Sequence, residues 1–307
     1  MVDTVSNTDL IRTRLYSEEI KTVLESELQL DKACKWFTDF VDGTTYVVPT
    51  VGQLTVRNYV EGNPITVDEV DSGEFTLTID KYYSSAFAIT DKFKQDSKYI
   101  AKAESMFVME LTKSIARQKE SDVANLQSAQ TASNANNING FAHRMVASGS
   151  NGVIAESQLR DMTLSLSKAR VPKAGRRAFV DSTVTHTMSG LANIITQTIY
   201  GANSAVKDSL SGTNSLGKYY GFDFYENFYL DNGLSETITS SVTDGFANLF
   251  LGTEDAFVGA MRLEPELEDF REPMRKRHVY TALTRYGVKT YRPEAVGVIL
   301  SSATVNS

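Results

Sequence analysis

The chain has 307 residues, 41% hydrophobic and 22% charged, with a formal net charge of −7. That mixture can bury enough apolar surface to offset chain entropy, which excludes wholesale disorder. The acidic balance runs against a protein that grips nucleic acid by neutralising phosphates, although a local basic patch stays compatible with it.

Cys34 is the one cysteine, which excludes an intrachain disulfide framework and any multi-cysteine metal site. The N-terminus carries Asp3, Asp9, Arg12 and Arg14 without an apolar run, unlike a signal peptide. No apolar stretch reaches the roughly 18 residues of a membrane-spanning helix. The chain is therefore expected to be soluble and to stay in the compartment where it is made.

In chain order, residues 1–17 are polar and predict an arm that is loose or docks on a neighbour. Ile20, Val23, Leu24 and Leu28 recur at helical spacing after Ser17-Glu18-Glu19, and a second short helix is expected through Ala33, Trp36, Phe37 and Phe40. The texture then turns β-branched and aromatic. Thr45-Tyr46-Val47-Val48-Pro49, the stretch 54–60 and the alternating Phe75-Thr76-Leu77-Thr78-Ile79-Asp80 predict strands, with turn chemistry at Glu61-Gly62-Asn63-Pro64. Together they make a long β-ribbon with a polar, acidic middle. A lone ribbon is marginal in water, so it must lie on something, and a neighbouring subunit is the natural support.

From Ser97 the period switches to 3.6, with Ile100, Ala103, Phe107, Leu111 and Ile115 on one stripe continued by Val123 and Leu126. Such a helix of about 30 residues would be near 45 Å long. Residues 129–139 read as a loop. Leu159, Met162, Leu164 and Leu166 make 156–169 an amphipathic helix, and Ala178-Phe179-Val180 a short strand. Asp181 and Ser182 are suited to cap the next helix, through Val184, Met188, Leu191 and Ile195. Residues 201–216 read as a loop, 219–225 and 247–251 as strands, and 278–300 as a strand broken at Gly287 and at Arg292-Pro293. The class is α+β.

Chemistry is hard to find in this pattern. His143, His186 and His278 show no metal-type spacing and read as structural histidines, and Cys34 beside Trp36 and Phe37 reads as inert packing. Phosphate-binding and nucleophile-elbow motifs are absent, and Gly149 and Gly152 flank a turn. No catalytic residue, metal ligand or cofactor is predicted. The acidic residues Glu264, Glu266, Glu268 and Asp269 precede Arg271, Arg275, Lys276 and Arg277. Glu266, Glu268, Arg271, Arg275 and Arg277 are candidates for a charge contact between subunits, against the plainer reading of a solvated segment. A minor role for the basic run is contact with DNA.

The closing stretch Tyr286-Gly287-Val288-Lys289-Thr290-Tyr291-Arg292-Pro293-Glu294-Ala295 resembles the ending of tailed-phage major capsid proteins of the Hong Kong 97 type, with Gly287, Arg292, Pro293 and Glu294 as its signature. Tyr220-Gly221-Phe222-Asp223-Phe224-Tyr225 resembles a strand of that family's axial lobe. Gly43-Thr44-Thr45-Tyr46-Val47-Val48-Pro49 and the stretch 79–91 resemble the base of its extended loop and the lead into its spine helix.

The resemblance implies a division into an arm with short helices (1–42), an extended loop (43–92), the spine helix and peripheral domain (93–175), an axial domain (176–265) and return strands (266–307). Val56, Tyr59, Asn63 and Pro64 would meet a neighbouring subunit. The implied protein is not an enzyme. It builds pentamers and hexamers of an icosahedral virion capsid around double-stranded DNA, which it touches weakly and without sequence preference. The short arm implies a separate scaffolding protein, with a portal protein as a further partner, assembly in the host cytoplasm and no membrane. Alternatives are an encapsulin-type nanocompartment shell, another virion component such as a tail or decoration protein, and an α/β hydrolytic enzyme.

Overall fold

Two β-sheets and a long helix organise the computed structural model, which describes residues 29–38, 43–52, 54, 56–62, 64, 67, 72–96, 100–127, 137–149, 152–189, 215–230 and 245–302. The expected arm (1–17) and the helix over 17–28 lie outside the described residues. The first sheet has four strands, in the order β1 (Cys34–Phe37), β12 (Phe257–Glu272), β13 (Arg277–Thr290), β4 (Lys81–Thr90). The second has six, in the order β7 (Arg144–Val146), β14 (Val296–Ser302), β11 (Gly245–Leu251), β8 (Arg177–Val180), β10 (Phe222–Glu226), β9 (Ser215–Tyr219). Two two-stranded pieces complete the β structure: β2 (Thr45–Val51) with β3 (Ser72–Thr78), and β5 (Asn137–Ile138) with β6 (Phe141–Ala142).

The helices are α1 (Asp91–Asp96), α2 (Ile100–Ala124), α3 (Glu156–Lys168) and α4 (Ser182–Ser189). The expected long helix is α2, whose 25 residues span about 37 Å. Leu111, Ile115 and Val123 of its stripe are buried, whereas Phe107 is half exposed and leans on Phe87 of β4. On α3, Leu159, Met162 and Leu166 are buried as the period requires. Leu164 falls off that face and is exposed. Asp181 caps α4 as expected, its carboxylate accepting the Thr183 N–H at 2.9 Å.

Several expectations are corrected. Trp36 and Phe37 lie on a strand, not a helix, because β1 finds a parallel partner in β12, with Trp36 opposite Gly259. A Cβ at position 259 would meet the indole ring at 2.5 Å, so the absent side chain makes room for the aromatic one. The stretch 219–225 is a hairpin, not one strand: Tyr220 and Gly221 take positive φ (50° and 85°) between β9 and β10. Ser215 and Leu216, expected in a loop, belong to β9, and Asn137–Ile138 pairs with Phe141–Ala142. Gly287 does not interrupt β13, which runs on to Thr290. Its missing side chain serves a close approach instead, since a Cβ there would sit 2.2 Å from the Thr78 carbonyl oxygen.

The largest core lies on the six-stranded sheet under α3 and α4, with Phe179, Phe222, Phe224 and Phe250 fully buried. A smaller core of Leu77, Ile79, Val258 and Ala260 sits at the root of the ribbon. Polar groups join the pieces. The buried Glu120 carboxyl on α2 accepts the Gln29 N–H (2.8 Å), the Leu30 N–H (2.6 Å) and the Asn227 side-chain amide (2.8 Å) through one oxygen. Two residues on, Asp122 accepts the Tyr286 hydroxyl (2.7 Å) and pairs with Lys81 (3.2 Å). Burial, then the Asp122 hydrogen bond and charge, push the Tyr286 phenol well up. Burial works against the Lys81 charge, but Asp122 outweighs it and the ammonium is held above its usual range.

Replacing Glu120 strands three donors, two of them main-chain, that water cannot easily reach. Glu120→Ala is expected to lower unfolding stability by about 3 kcal/mol, with Glu120→Gln less costly because it keeps an acceptor. Denaturant unfolding of the two variants measures the difference.

Candidate assembly interface

The sequence places its candidate contacts on a ribbon and on a charged segment, and the structure builds both as antiparallel hairpins. In the ribbon, β2 and β3 pair in antiparallel register from Thr45 opposite Thr78 to Val51 opposite Ser72. Its root is tied down. Ile79 N–H donates to the Thr44 carbonyl at 2.8 Å, Lys289 donates to the Thr76 carbonyl at 2.9 Å, and Phe75 meets Tyr291 edge-on at 4.8 Å.

Beyond Val51 the ladder stops. Leu54 and the stretch 56–60, expected as strand, form no strand, since no described strand lies alongside to pair with them. Val51, Leu54, Val56, Tyr59, Val60 and Val67 are all exposed, Val56 at 96%. Pro64 is exposed too, and Asn63 lies outside the described residues. A concentration of exposed apolar side chains on one projection is the mark of a surface that meets another molecule.

The charged segment was expected to be a solvated stretch or a contact. It is a strand: residues 257–272 make up β12, which turns through Pro273–Arg275 into β13. Lys276 closes the turn in the left-handed region (φ 50°), and Met274 at the tip is 95% exposed. β1 covers only the first four residues of β12, so its outer edge is open from Met261 onward among the described strands. Pro265 and four acidic side chains lie along that edge, devices that discourage another strand from adding to it.

The arginines are engaged within the chain: Arg271 with Asp91 (3.1 Å), Arg275 with Glu272 (3.3 Å) and Arg277 with Glu272 (2.6 Å). Glu264, Glu266, Glu268 and Asp269 are exposed and have no ion-pair partner among the described residues. The structure thus separates the two halves of the predicted charge cluster.

The closing motif forms a corner between the two sheets. Arg292 donates through Nε to Asp255 at 2.8 Å, and its main-chain N–H reaches the Ala256 carbonyl. Pro293–Ala295 forms a 3-10 turn, and the Ala295 carbonyl accepts the Gly252 N–H at 2.7 Å. These bonds carry the chain from β13 in one sheet to β14 in the other. Glu294 lies beside His143, whose fully buried ring donates through Nδ1 to the Phe141 carbonyl at 3.2 Å, while Nε2 has no hydrogen-bond partner among the described residues. Burial pulls this ring below its usual pKa of 6.5, and Phe141 and Glu294 only partly offset that.

Among the described residues no group of three or more His, Cys, Asp or Glu side chains is placed to hold a metal ion. No described helix is long and apolar enough to cross a membrane. An open cleft of about 470 Å³ at the ribbon root is lined by Ile79, Asp80, Tyr82, Arg262, Leu263 and Arg285. Cys34 is buried, as the packing reading expects.

Comparison with known proteins gives consistent results. Residues 73–299 match the sequence model of a family described as phage capsid protein. The capsid asymmetric unit of cyanophage Pam1 superposes with a TM-score of 0.72 at 15% identity, over 100% of both chains. The capsid of cyanophage P-SCSP1u gives 0.72 at 15% identity, over 100% of this chain and 97% of that one. The structure from Mycobacterium phage Che8 gives 0.69 at 17% identity, over 95% and 97%. At such identities the likeness speaks to the fold. No curated protein sequence matches the chain.

The buried His143 sets an acid limit on stability. Its folded-state pKa lies below the unfolded value of 6.5, so the unfolded chain takes up the proton first as pH falls. Its contribution is complete above 6.5 and is lost below that value, at up to about 1.4 kcal/mol per pH unit. The difference in melting temperature between wild type and His143→Gln should therefore shrink from pH 7 to pH 5; a constant difference would rule this out.

Proposed function

The chain belongs to the phage capsid protein family, and on that footing we propose that its copies assemble as pentamers and hexamers of an icosahedral head around double-stranded DNA. Its α+β fold is of the Hong Kong 97 type seen in tailed-phage major capsid proteins, and its role is that of a structural capsid protein of the virion. The encapsulin-type shell and the α/β hydrolase are not favoured by these matches.

The observation that carries the proposal is the ribbon. Seven paired residues on each strand lead into a tip whose apolar side chains face water. Exposing them costs a lone subunit solubility and offers no stabilisation in return. Laid across a neighbour, the same side chains leave water, at about 25 cal/mol for each Å² covered. Val56, Tyr59, Asn63 and Pro64 are the residues assigned to this contact. Glu266 and Glu268 add charge to a second contact, while Arg271, Arg275 and Arg277 brace the hairpin that presents them.

In this reading 1–42 is the arm, 43–92 the extended loop, 93–175 the spine and peripheral domain, 176–265 the axial domain and 266–307 the return strands. A separate scaffolding protein directs closure, a portal protein occupies one vertex, and assembly takes place in the host cytoplasm. The packaged DNA is touched weakly, in keeping with the net charge of −7. No reaction is assigned to the chain.

Two experiments test this. Negative-stain microscopy of the chain, alone and with its scaffold, should show closed particles or rings of five and six; a monomer under every condition would refute the proposal. Deleting residues 61–73, the tip together with the first two residues of β3, should leave a folded subunit that no longer closes shells. Normal particles from that deletion would rule out the ribbon as a clasp.

A further inference from the structure

The arginines of the 271–277 run are neutralised within the chain, but another set of cations is not. Lys168, Arg170 and Lys173 lie at the end of α3 and in the loop that follows it. The stretch 168–177 holds these three together with Arg176 and Arg177 and contains no acid. All three are exposed, and none has an ion pair or side-chain hydrogen bond to a described residue. Lys168 reaches only the face of Phe141, at 5.5 Å. A cation in the last turn of a helix is explained by the helix dipole, which accounts for Lys168. Arg170 and Lys173 lie beyond that turn and have no such explanation.

The loop that presents them is clamped. Buried Arg176 donates to the carbonyls of Pro172 (2.9 Å), Val171 (2.9 Å) and Thr163 (3.4 Å) and to the Ser167 hydroxyl (3.2 Å). Arg170 is left-handed (φ 63°), and the N–H groups of Arg170 and Val171 return to the carbonyls of Ser167 and Leu166. The charges are therefore carried on a fixed frame, not on a loose tail.

The complementary surface is on the same chain but is not paired with the loop. Glu264, Glu266, Glu268 and Asp269 lie unpaired along the open edge of β12, beside exposed Leu267 and Phe270. The loop touches the chain just ahead of β12, where Val171 packs on Gly252. From Phe257 to Glu266 the strand then runs roughly 30 Å away, at about 3.3 Å per residue. Within the chain none of these cations pairs with any of these acids among the described residues, which leaves the two surfaces to meet between chains.

We propose that the 168–173 loop of one copy docks on the 264–269 edge of β12 of a second copy. The two surfaces differ, so the contact is head-to-tail, the kind that closes rings or propagates a lattice. It rests on the self-assembly reading and adds which cations meet which acids. Exposed pairs are individually weak and are screened within about 10 Å at 0.1 M salt, so the contact sets orientation and makes assembly salt-sensitive.

The test uses full-length chains carrying K168E/R170E/K173E, E264K/E266K/E268K, or all six changes. Each triple reversal should reduce particle yield at least tenfold, with unaltered circular dichroism and melting temperature. The six-fold variant, whose charges are complementary again, should recover most of the yield. A loop reversal that assembles normally, or a six-fold variant that folds but does not recover, overturns the proposal. Normal shells that merely retain less DNA would overturn it in favour of a phosphate contact. If the unaltered chain never assembles, the self-assembly reading itself fails, a distinct result.

Discussion

Strand β13 is the member on which the four-stranded sheet and everything attached to it depend. It is hydrogen-bonded along nearly its whole length on both sides, to β12 from Arg277 to Thr290 and to β4 from Arg277 to Tyr286. Its near end grips the ribbon root, where Gly287 lets the Thr78 carbonyl approach. Its middle carries α2 on one face through Ala282, packed with Leu111 and Ile115. Its far end turns into the exposed tip at Met274. Losing this one strand would leave the ribbon, the long helix and the charged hairpin without a common support.

The second organising element is a short polar stretch of α2. Glu120 ties the helix to residues 29–30 and to Asn227 at the end of β10, and Asp122 ties it to β4 and β13. Buried polar contacts of this kind are demanding, because each donor left without its acceptor costs more than the bond contributes. They favour one arrangement of segments over near alternatives that hydrophobic packing alone would tolerate. A subunit that must repeat the same contacts around a closed shell needs such a defined shape.

Stability and association use different parts of the chain. The six-stranded sheet buries an aromatic core within the chain, whereas the ribbon tip and the outer part of β12 leave much of their apolar surface exposed. Side chains such as Val56 and Met274 are almost fully exposed in the single chain. The charged residues divide likewise. Arg271, Arg275, Arg277 and Arg292 shape the subunit through internal pairs, leaving the acids of β12 and the cations after α3 facing outward.

Local pattern was enough for α2, α3, α4, the ribbon root and the strands at 178–180 and 247–251, because alternation and helical spacing record which face is covered. It was also enough for the family resemblance in the closing motif. It misled where pairing with a distant partner decides the outcome. β1 is a strand because β12, more than two hundred residues later, lies beside it, and 54–60 is not one because no described strand does. β12 itself was missed because an edge strand can carry charge on its open side, hiding the period that marks a covered one. The ion pair of Arg271 with Asp91, 180 residues apart, has no local signature at all. Periodicity and composition thus determined element types, while the family was legible only through the resemblance of the closing motif and its companions. Only the tertiary structure decided which charges are paired within the chain and which are not, since that depends on distances between segments that sequence order does not encode.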